Sequence, residues 1–194
     1  MGEVLYQEAR EASFLYLIER GIVKAVVPTA VGRERIADLL GPGDVLGVAA
    51  LDGGRHPETI TAVQETTVIP IDPHYAMKNQ KLSSHILHNL ASQLRRGREA
   101  IDNAELPVGA RLARVLFQLG ERFGQELGME PGVSLPLQMT HEDLASLVGS
   151  SRVTVTRIMG ELRQEGALAG SRGNYVAHLS RLQMASDQYV MQGL

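Results

Sequence analysis

Arg152 and Arg157, with Val153 and Thr156 between them, lie in the run SSRVTVTRIMGEL. A guanidinium can donate two parallel hydrogen bonds to the major-groove edge of guanine, a small apolar group can meet the methyl of thymine, and Thr hydroxyls reach phosphate oxygens. Such chemistry needs the four side chains on one exposed face. Val155, Ile158, Met159 and Leu162 recur at i, i+3, i+4 and i+7. A helix that buries this apolar set turns Arg152, Val153, Thr156 and Arg157 outward. Thr140, Ser151 and Thr154 add hydroxyls at helix starts, where backbone N–H groups favour phosphate oxygens, and Arg172 adds a cation within a Gly-rich turn. The spacing by itself also fits an amphipathic hairpin with a solvated polar face, so the pattern leaves both readings open.

The elements that must position these residues are legible around them. Leu144, Leu147 and Val148 give a short first helix one apolar face, and Gly149 permits a tight turn before the second. Thr140 can cap the first helix, with Glu142 and Asp143 in its first turn, and Ser150 or Ser151 can cap the second. Two short helices joined by a Gly turn make a helix-turn-helix. The run from Ala167 to Val176 predicts a two-stranded wing with its tip at Gly170-Ser171-Arg172-Gly173-Asn174. Upstream, Val108 to Phe123 predicts a helix with Leu112, Val115, Leu116 and Leu119 inward, followed by the irregular acidic loop GQELGMEPGVSLPLQM. The tail from about Ser180 to Leu194 carries Leu182, Ala185 and Tyr189 at near-helical spacing and should pack back on a domain; no specific role follows from its residues.

The front of the chain is different. Phe14 to Ile18, Gly21 to Val27, Glu34 to Leu40, Glu58 to Val63 and Thr66 to Ile71 are candidate strands, punctuated by Gly32, Gly41-Pro42-Gly43-Asp44 and Asp52-Gly53-Gly54. Short strands with such corners predict a small antiparallel roll. From Pro73 to Ala104 the pattern becomes one long helix, in which Leu87, Leu90, Leu94, Gly97, Ile101 and Ala104 form a seam of the heptad kind, flanked by Arg95, Arg96, Arg98, Glu99 and Asp102. The seam reads as a dimer interface, and equally fits a helix laid on its own roll. Leu106-Pro107 marks the boundary to the next helix.

Composition limits the alternatives. With 194 residues, 44% of them hydrophobic and 21% charged, the chain has the make-up of an ordinary globular protein. No run approaches the roughly 18 apolar residues of a membrane helix, and MGEVLYQEAR is too acidic for a signal peptide, so a cytoplasmic protein away from membranes is expected. The net charge of −3 argues against nucleic acid, but the acid is concentrated at the front: residues 1–72 hold 6 Lys/Arg against 11 Asp/Glu, and residues 107–194 hold 8 of each. Cysteine is absent, which excludes disulfides and thiolate metal sites. A metal enzyme of the cupin type would need two or three converging His, yet His56 is the only His in residues 1–72 and reads as a solvated turn residue. His85 and His88 read as surface residues of the helix. Neither a nucleophile elbow nor a phosphate-cradling Gly loop is present. No enzyme, metal or cofactor is expected.

The literal residues go further. LVGSSRVTVTRIMGEL resembles the helix-turn-helix of the Crp/Fnr family of bacterial transcription regulators, in which a Gly-x-Ser-Arg-x-Thr-Val-x-Arg run opens the recognition helix. YLIERGIVKAVV followed by LLGPGDVLGVAAL resembles the cyclic-nucleotide-type sensor roll of the same family, and the order of the two parts agrees. The family has further residues ahead of the position of LYQE, so the roll's first strand is expected to be missing. The resemblance implies pairing through the long helix, activation of transcription, contact of the acidic loop with RNA polymerase, and double-stranded DNA as partner; the loop residues also suit a solvated connector. Family members that bind cyclic AMP carry a Gly-Glu-Leu run, an Arg-Ser pair and a Thr-Ser pair, where this chain has Gly47-Val48-Ala49, His56-Pro57 and Gly97-Arg98. Each polar anchor is gone, and Arg55 lies one residue off. Burying a phosphate without partners costs several kcal/mol, so cyclic AMP is not expected to bind. Val153 replaces a frequent Glu of the family, which should alter operator preference.

The expectation is therefore an α+β protein: an antiparallel β-roll over 1–72, a dimerisation helix over 73–106 and a winged helix-turn-helix over 107–194. As a homodimer it would bind a pseudo-palindromic site, with Arg152, Val153, Thr156 and Arg157 at bases and Thr140, Ser151, Thr154 and Arg172 at phosphates. The alternatives are gating by an effector other than cyclic AMP, and a metabolite-sensing interaction module that leaves DNA alone.

Overall fold

The computed structural model describes the chain except for residues 1, 30, 31, 33, 128–131, 136, 137, 172, 173 and 194. It divides into two compact units, Met1–Ala100 and Ile101–Leu194.

In the first unit the predicted strands form an antiparallel roll. They are β2 (Leu15–Arg20), β3 (Val23–Pro28), β4 (Glu34–Leu40), β6 (Thr59–Ala62) and β7 (Thr67–Ile71). Two short strands that no alternation marked, β1 (Val4–Tyr6) and β5 (Val45–Leu46), complete it. One sheet runs β1-β6-β3-β4 and the other β5-β2-β7. Inward residues of both sheets, including Tyr6, Ile18, Val23, Leu40 and Ile60, close over one core. Each fully buried aliphatic side chain there contributes roughly 1.5–3 kcal/mol of transfer free energy.

The single long helix expected over 73–104 is two helices. Asp72 caps α1 (Pro73–Lys78), its carboxylate accepting from the Tyr75 N–H at 2.9 Å. Asn79 adopts an extended conformation (φ −93°, ψ 110°), and its side-chain oxygen accepts from Lys81 and Leu82 N–H, so it stops α1 and caps α2 (Gln80–Asn103). Asn prefers such a cap because its short amide satisfies the orphan donors of a first turn. Ala104, the last seam position, lies just past the end of α2.

A polar set that the heptad reading overlooked fastens α2 to the roll. Asn89 Nδ2 donates to Asp44 Oδ1 at 2.9 Å, and Asn89 Oδ1 accepts from the Val45 N–H at 3.0 Å. Gln93 Nε2 donates to the Val45 carbonyl at 2.9 Å, and Arg96 Nε donates to Asp38 at 2.9 Å. Arg96, read from the sequence only as a flank of the seam, is thus an ion-pair partner of the roll. Ile86 and Leu90 add apolar contact beside it.

In the second unit α3 (Val108–Phe123) and α6 (Leu179–Gln192) pack face to face. Leu112, Leu116 and Leu119 are buried as predicted; Val115 is half-buried and Ala113 takes the inner place. The acidic loop is less irregular than its composition implied. Its ends pair as β8 (Gln125–Glu126) and β9 (Val133–Leu135), and β9 joins β11 (Asn174–Ala177), which pairs with β10 (Leu168–Ser171). The wing is thereby a four-stranded sheet, β10-β11-β9-β8.

Candidate nucleic-acid interface

The interface is built on α4 (His141–Val148) and α5 (Arg152–Gln164). Thr140 caps α4 through a reciprocal box: its Oγ1 accepts from the Asp143 N–H at 3.0 Å, while Asp143 Oδ2 accepts from the Thr140 N–H at 2.9 Å. Gly149 ends α4 in the left-handed region (φ 62°, ψ 50°), a conformation open to Gly without steric cost. Ser151 caps α5, accepting from the Thr154 N–H at 3.1 Å. Local propensity, cap and turn therefore agree on one hairpin.

Leu144, Val148, Val155, Ile158, Met159 and Leu162 are all buried, and Leu147 is half-buried. The opposite face of α5 is open: Arg152, Val153, Thr156 and Arg157 are exposed, Val153 at 79%. All four expected base readers thus lie together on one accessible face. The side chain of Arg152, at the first position of α5, has no hydrogen-bond or ion-pair partner among the described residues. Arg157 Nη1 pairs with Glu161 Oε1 one turn on.

The hydroxyls are less free than their types implied. Thr140 Oγ1 lies 2.7 Å from Asp143 Oδ2, so its only hydrogen goes to that carboxylate and the residue serves as a cap. Thr156 Oγ1 donates to the Arg152 carbonyl at 2.8 Å and lies 2.8 Å from His141 Nδ1. With that hydrogen committed, His141 is the donor in the second bond, which places its proton on Nδ1. Its pKa is lowered by burial first and then by the positive Arg163 and Arg152 nearby. Ser151 and Thr154 share one bond between their hydroxyls at 2.9 Å, which leaves one hydrogen of the pair for an outside acceptor. Arg172 lies outside the described residues.

Three further residues shape this surface and escaped the sequence reading. Arg163 Nε donates to the Gly170 carbonyl at 3.2 Å and its guanidinium lies 5.9 Å from the Tyr175 ring, joining α5 to the wing. Glu161 meets Tyr189, and His141 meets Thr156, only once α5 is packed. The i, i+4 spacing of Arg157 and Glu161 was the one available signal.

In the roll, His56 is not a solvated turn residue. It is 5% exposed and stacks on Tyr6 with ring centroids 3.6 Å apart. Tyr6 Oη donates to Glu58 Oε1 at 3.0 Å and accepts from the Gly47 N–H at 3.1 Å. Burial raises the pKa of Glu58 and lowers that of His56. Of the positions matched to nucleotide anchors, Gly47 and His56 are therefore engaged by Tyr6.

An antiparallel roll, a helix that docks on it, and a capped helix-turn-helix with a β wing together define a DNA-binding transcription regulator with a cyclic-nucleotide-type domain. Similarity to known proteins leads to the same class. Residues 1–78 match the cyclic nucleotide-binding domain and residues 110–185 the Crp-like helix-turn-helix domain. The chain is 32% identical over 185 residues to the transcriptional regulator LdrP of Thermus thermophilus, covering 93% of this chain and 91% of that protein. It is 29% identical over 171 residues to a CRP-like cAMP-activated global transcriptional regulator of Mycobacterium tuberculosis, covering 85% of this chain and 75% of that one. A solved structure of a CRP-family regulator, also from Thermus thermophilus, superposes with a TM-score of 0.81 at 26% identity, over 97% of this chain and 95% of that one. The chain belongs to the Crp/Fnr family of transcription regulators.

Proposed function

We propose that this regulator acts in the cytoplasm as a homodimer and activates transcription from a pseudo-palindromic site without cyclic AMP. The observation that carries the reading is the open face of α5, where Arg152, Val153, Thr156 and Arg157 stand exposed above a fully buried apolar set. Arg152 and Arg157 would contact bases, Val153 and the Thr156 methyl would meet thymine, and the Ser151–Thr154 pair would donate its remaining hydrogen to a phosphate. Arg172 is proposed for a second phosphate. Two such helices related by a two-fold axis would enter successive major grooves about 34 Å apart.

The dimer proposal is supported by the division of α2 into faces. Asn89, Gln93 and Arg96 point at the roll, whereas Leu87, Leu94 and Ile101 are 66%, 60% and 72% exposed. A helix that merely lay on its own roll would have buried that seam. Leu90 is half-buried against the roll, and Gly97 has open space where a Cβ would stand. Among the described residues no helix is long and apolar enough to cross a membrane. Contact with RNA polymerase is proposed through the loop between β8 and β9, whose residues 128–131 lie outside the described set.

Independence from cyclic AMP is supported by Tyr6. It occupies the Gly47 N–H and stacks on His56, and the carboxyl of Glu58 stands beside them, where a cyclic phosphate would need a cation. A gel shift with the purified chain and a randomised duplex pool, without added nucleotide, tests the proposal. Selective retention of a two-fold symmetric sequence is expected. Retention only after addition of cell extract would establish gating by another effector, and no retention at low salt would refute the reading.

A further inference from the structure

The tail helix α6 reaches back to the recognition helix. Tyr189 lays its ring on Gly109 of α3, so close that a Cβ there would stand 2.5 Å from the ring. Its Oη donates to Glu161 Oε2 at 2.8 Å. The other oxygen of the same carboxylate accepts from Arg157 Nη1. Each oxygen of Glu161 thus has one partner, and three side chains from two helices form a line that ends at a candidate base reader.

An exposed Arg–Glu pair one helical turn apart does not hold a guanidinium in one place, because water screens it and both side chains lose rotamer freedom. The order Arg then Glu is also the less favourable one along a helix. A carboxylate anchored from behind by a half-buried phenol is another matter: it has one rotamer to offer. We propose that Tyr189 is a positioning residue for base readout, acting through Glu161 to aim the Arg157 guanidinium. The inference rests on the proposed contact of Arg157 with a base, and it assigns a role to α6. The phenol suits the task, since burial, the hydrogen bond to Glu161 and the carboxylates of Glu161 and Glu165 keep its proton in place far above neutral pH.

Tyr189→Phe keeps the ring on Gly109 and deletes only the donor. The purified full chain, Tyr189→Phe, Glu161→Ala, their double variant and Arg157→Ala are each used to select from a randomised duplex library. Arg157→Ala should flatten preference at one base pair of each half-site. Tyr189→Phe should lose discrimination several-fold at that same base pair, with the other positions and the salt dependence unchanged. Because the residues act in series, the double variant should lose no more than Glu161→Ala alone. Intact discrimination in Tyr189→Phe beside a flattened Arg157→Ala overturns the inference, as does a uniform loss on all sequences or additive loss in the double variant. If Arg157→Ala itself flattens nothing, the base contact is wrong and the inference falls with it.

Discussion

A base-reading arginine and a phosphate-binding one differ in what their loss does. If Arg157 pairs bidentately with a guanine, Arg157→Ala should cost about 1–3 kcal/mol on the cognate site and relax one base pair, as measured by competition binding with single-base operator variants. Equal weakening on every sequence would make it a phosphate contact. His56 and His141 give a prediction of a different kind, because both have pKa values lowered from 6.5, chiefly by burial. For such a group the neutral form is favoured in the folded state, so its contribution is complete above the unfolded value of about 6.5. It is lost as the pH falls through the lower folded value. Thermal melts between pH 8 and pH 5 should show Tm dropping below about pH 6.5, and His141→Gln should shallow that drop. A drop as steep in His141→Gln as in the wild type would show that folding does not hold the His141 imidazole neutral.

At the scale of elements, α2 has two faces of opposite chemistry. On the roll side, Asn89 serves the Asp44 carboxylate and the Val45 N–H at once. Asn89→Ala leaves the Val45 N–H without its acceptor in a buried place and takes one donor from Asp44, which keeps the Gly41 N–H; it should cost about 1–3 kcal/mol of stability, read from the urea midpoint. On the other side, Leu94→Glu changes a 60% exposed residue and should leave the fold of the isolated chain intact. It should convert dimer to monomer in sedimentation equilibrium and weaken operator binding with it. A Leu94→Glu variant that stays dimeric would move the interface elsewhere. The two faces explain why the heptad spacing was only half of the matter: it located Leu87, Leu94 and Ile101, but polar residues at Asn89, Gln93 and Arg96 have no apolar signature to betray that they dock.

For the molecule as a whole the central matter is control. Crp/Fnr regulators carry a nucleotide-type roll, and in this chain Tyr6 engages Gly47 and His56, within two of the three runs matched to nucleotide anchors. Titration calorimetry of the full chain with cyclic AMP should show no heat of binding at micromolar nucleotide, where a buried unpartnered phosphate would be unfavourable by several kcal/mol. Saturable micromolar binding would mean that Tyr6 moves aside.

Sequence alone determined the helix-turn-helix in detail, because its signals are local: the apolar set of α5, the Gly149 turn and the Thr140 and Ser151 caps each act within a few residues. It likewise located the central strands of the roll, which Gly, Pro and Asp corners bound. Tertiary structure decided what depends on distant partners. His56 became a core residue only because β1 brings Tyr6 against it. The acidic loop yielded strands only because β11 offers β9 a partner. His141 could donate to Thr156 Oγ1 only once α4 and α5 packed together, fifteen positions apart in the chain. Near-helical spacing put Tyr189 on a tail that packs back, but its bond to Glu161 waited for α6 to fold onto α3, since a hydrogen bond across 28 positions leaves no periodic trace in the chain.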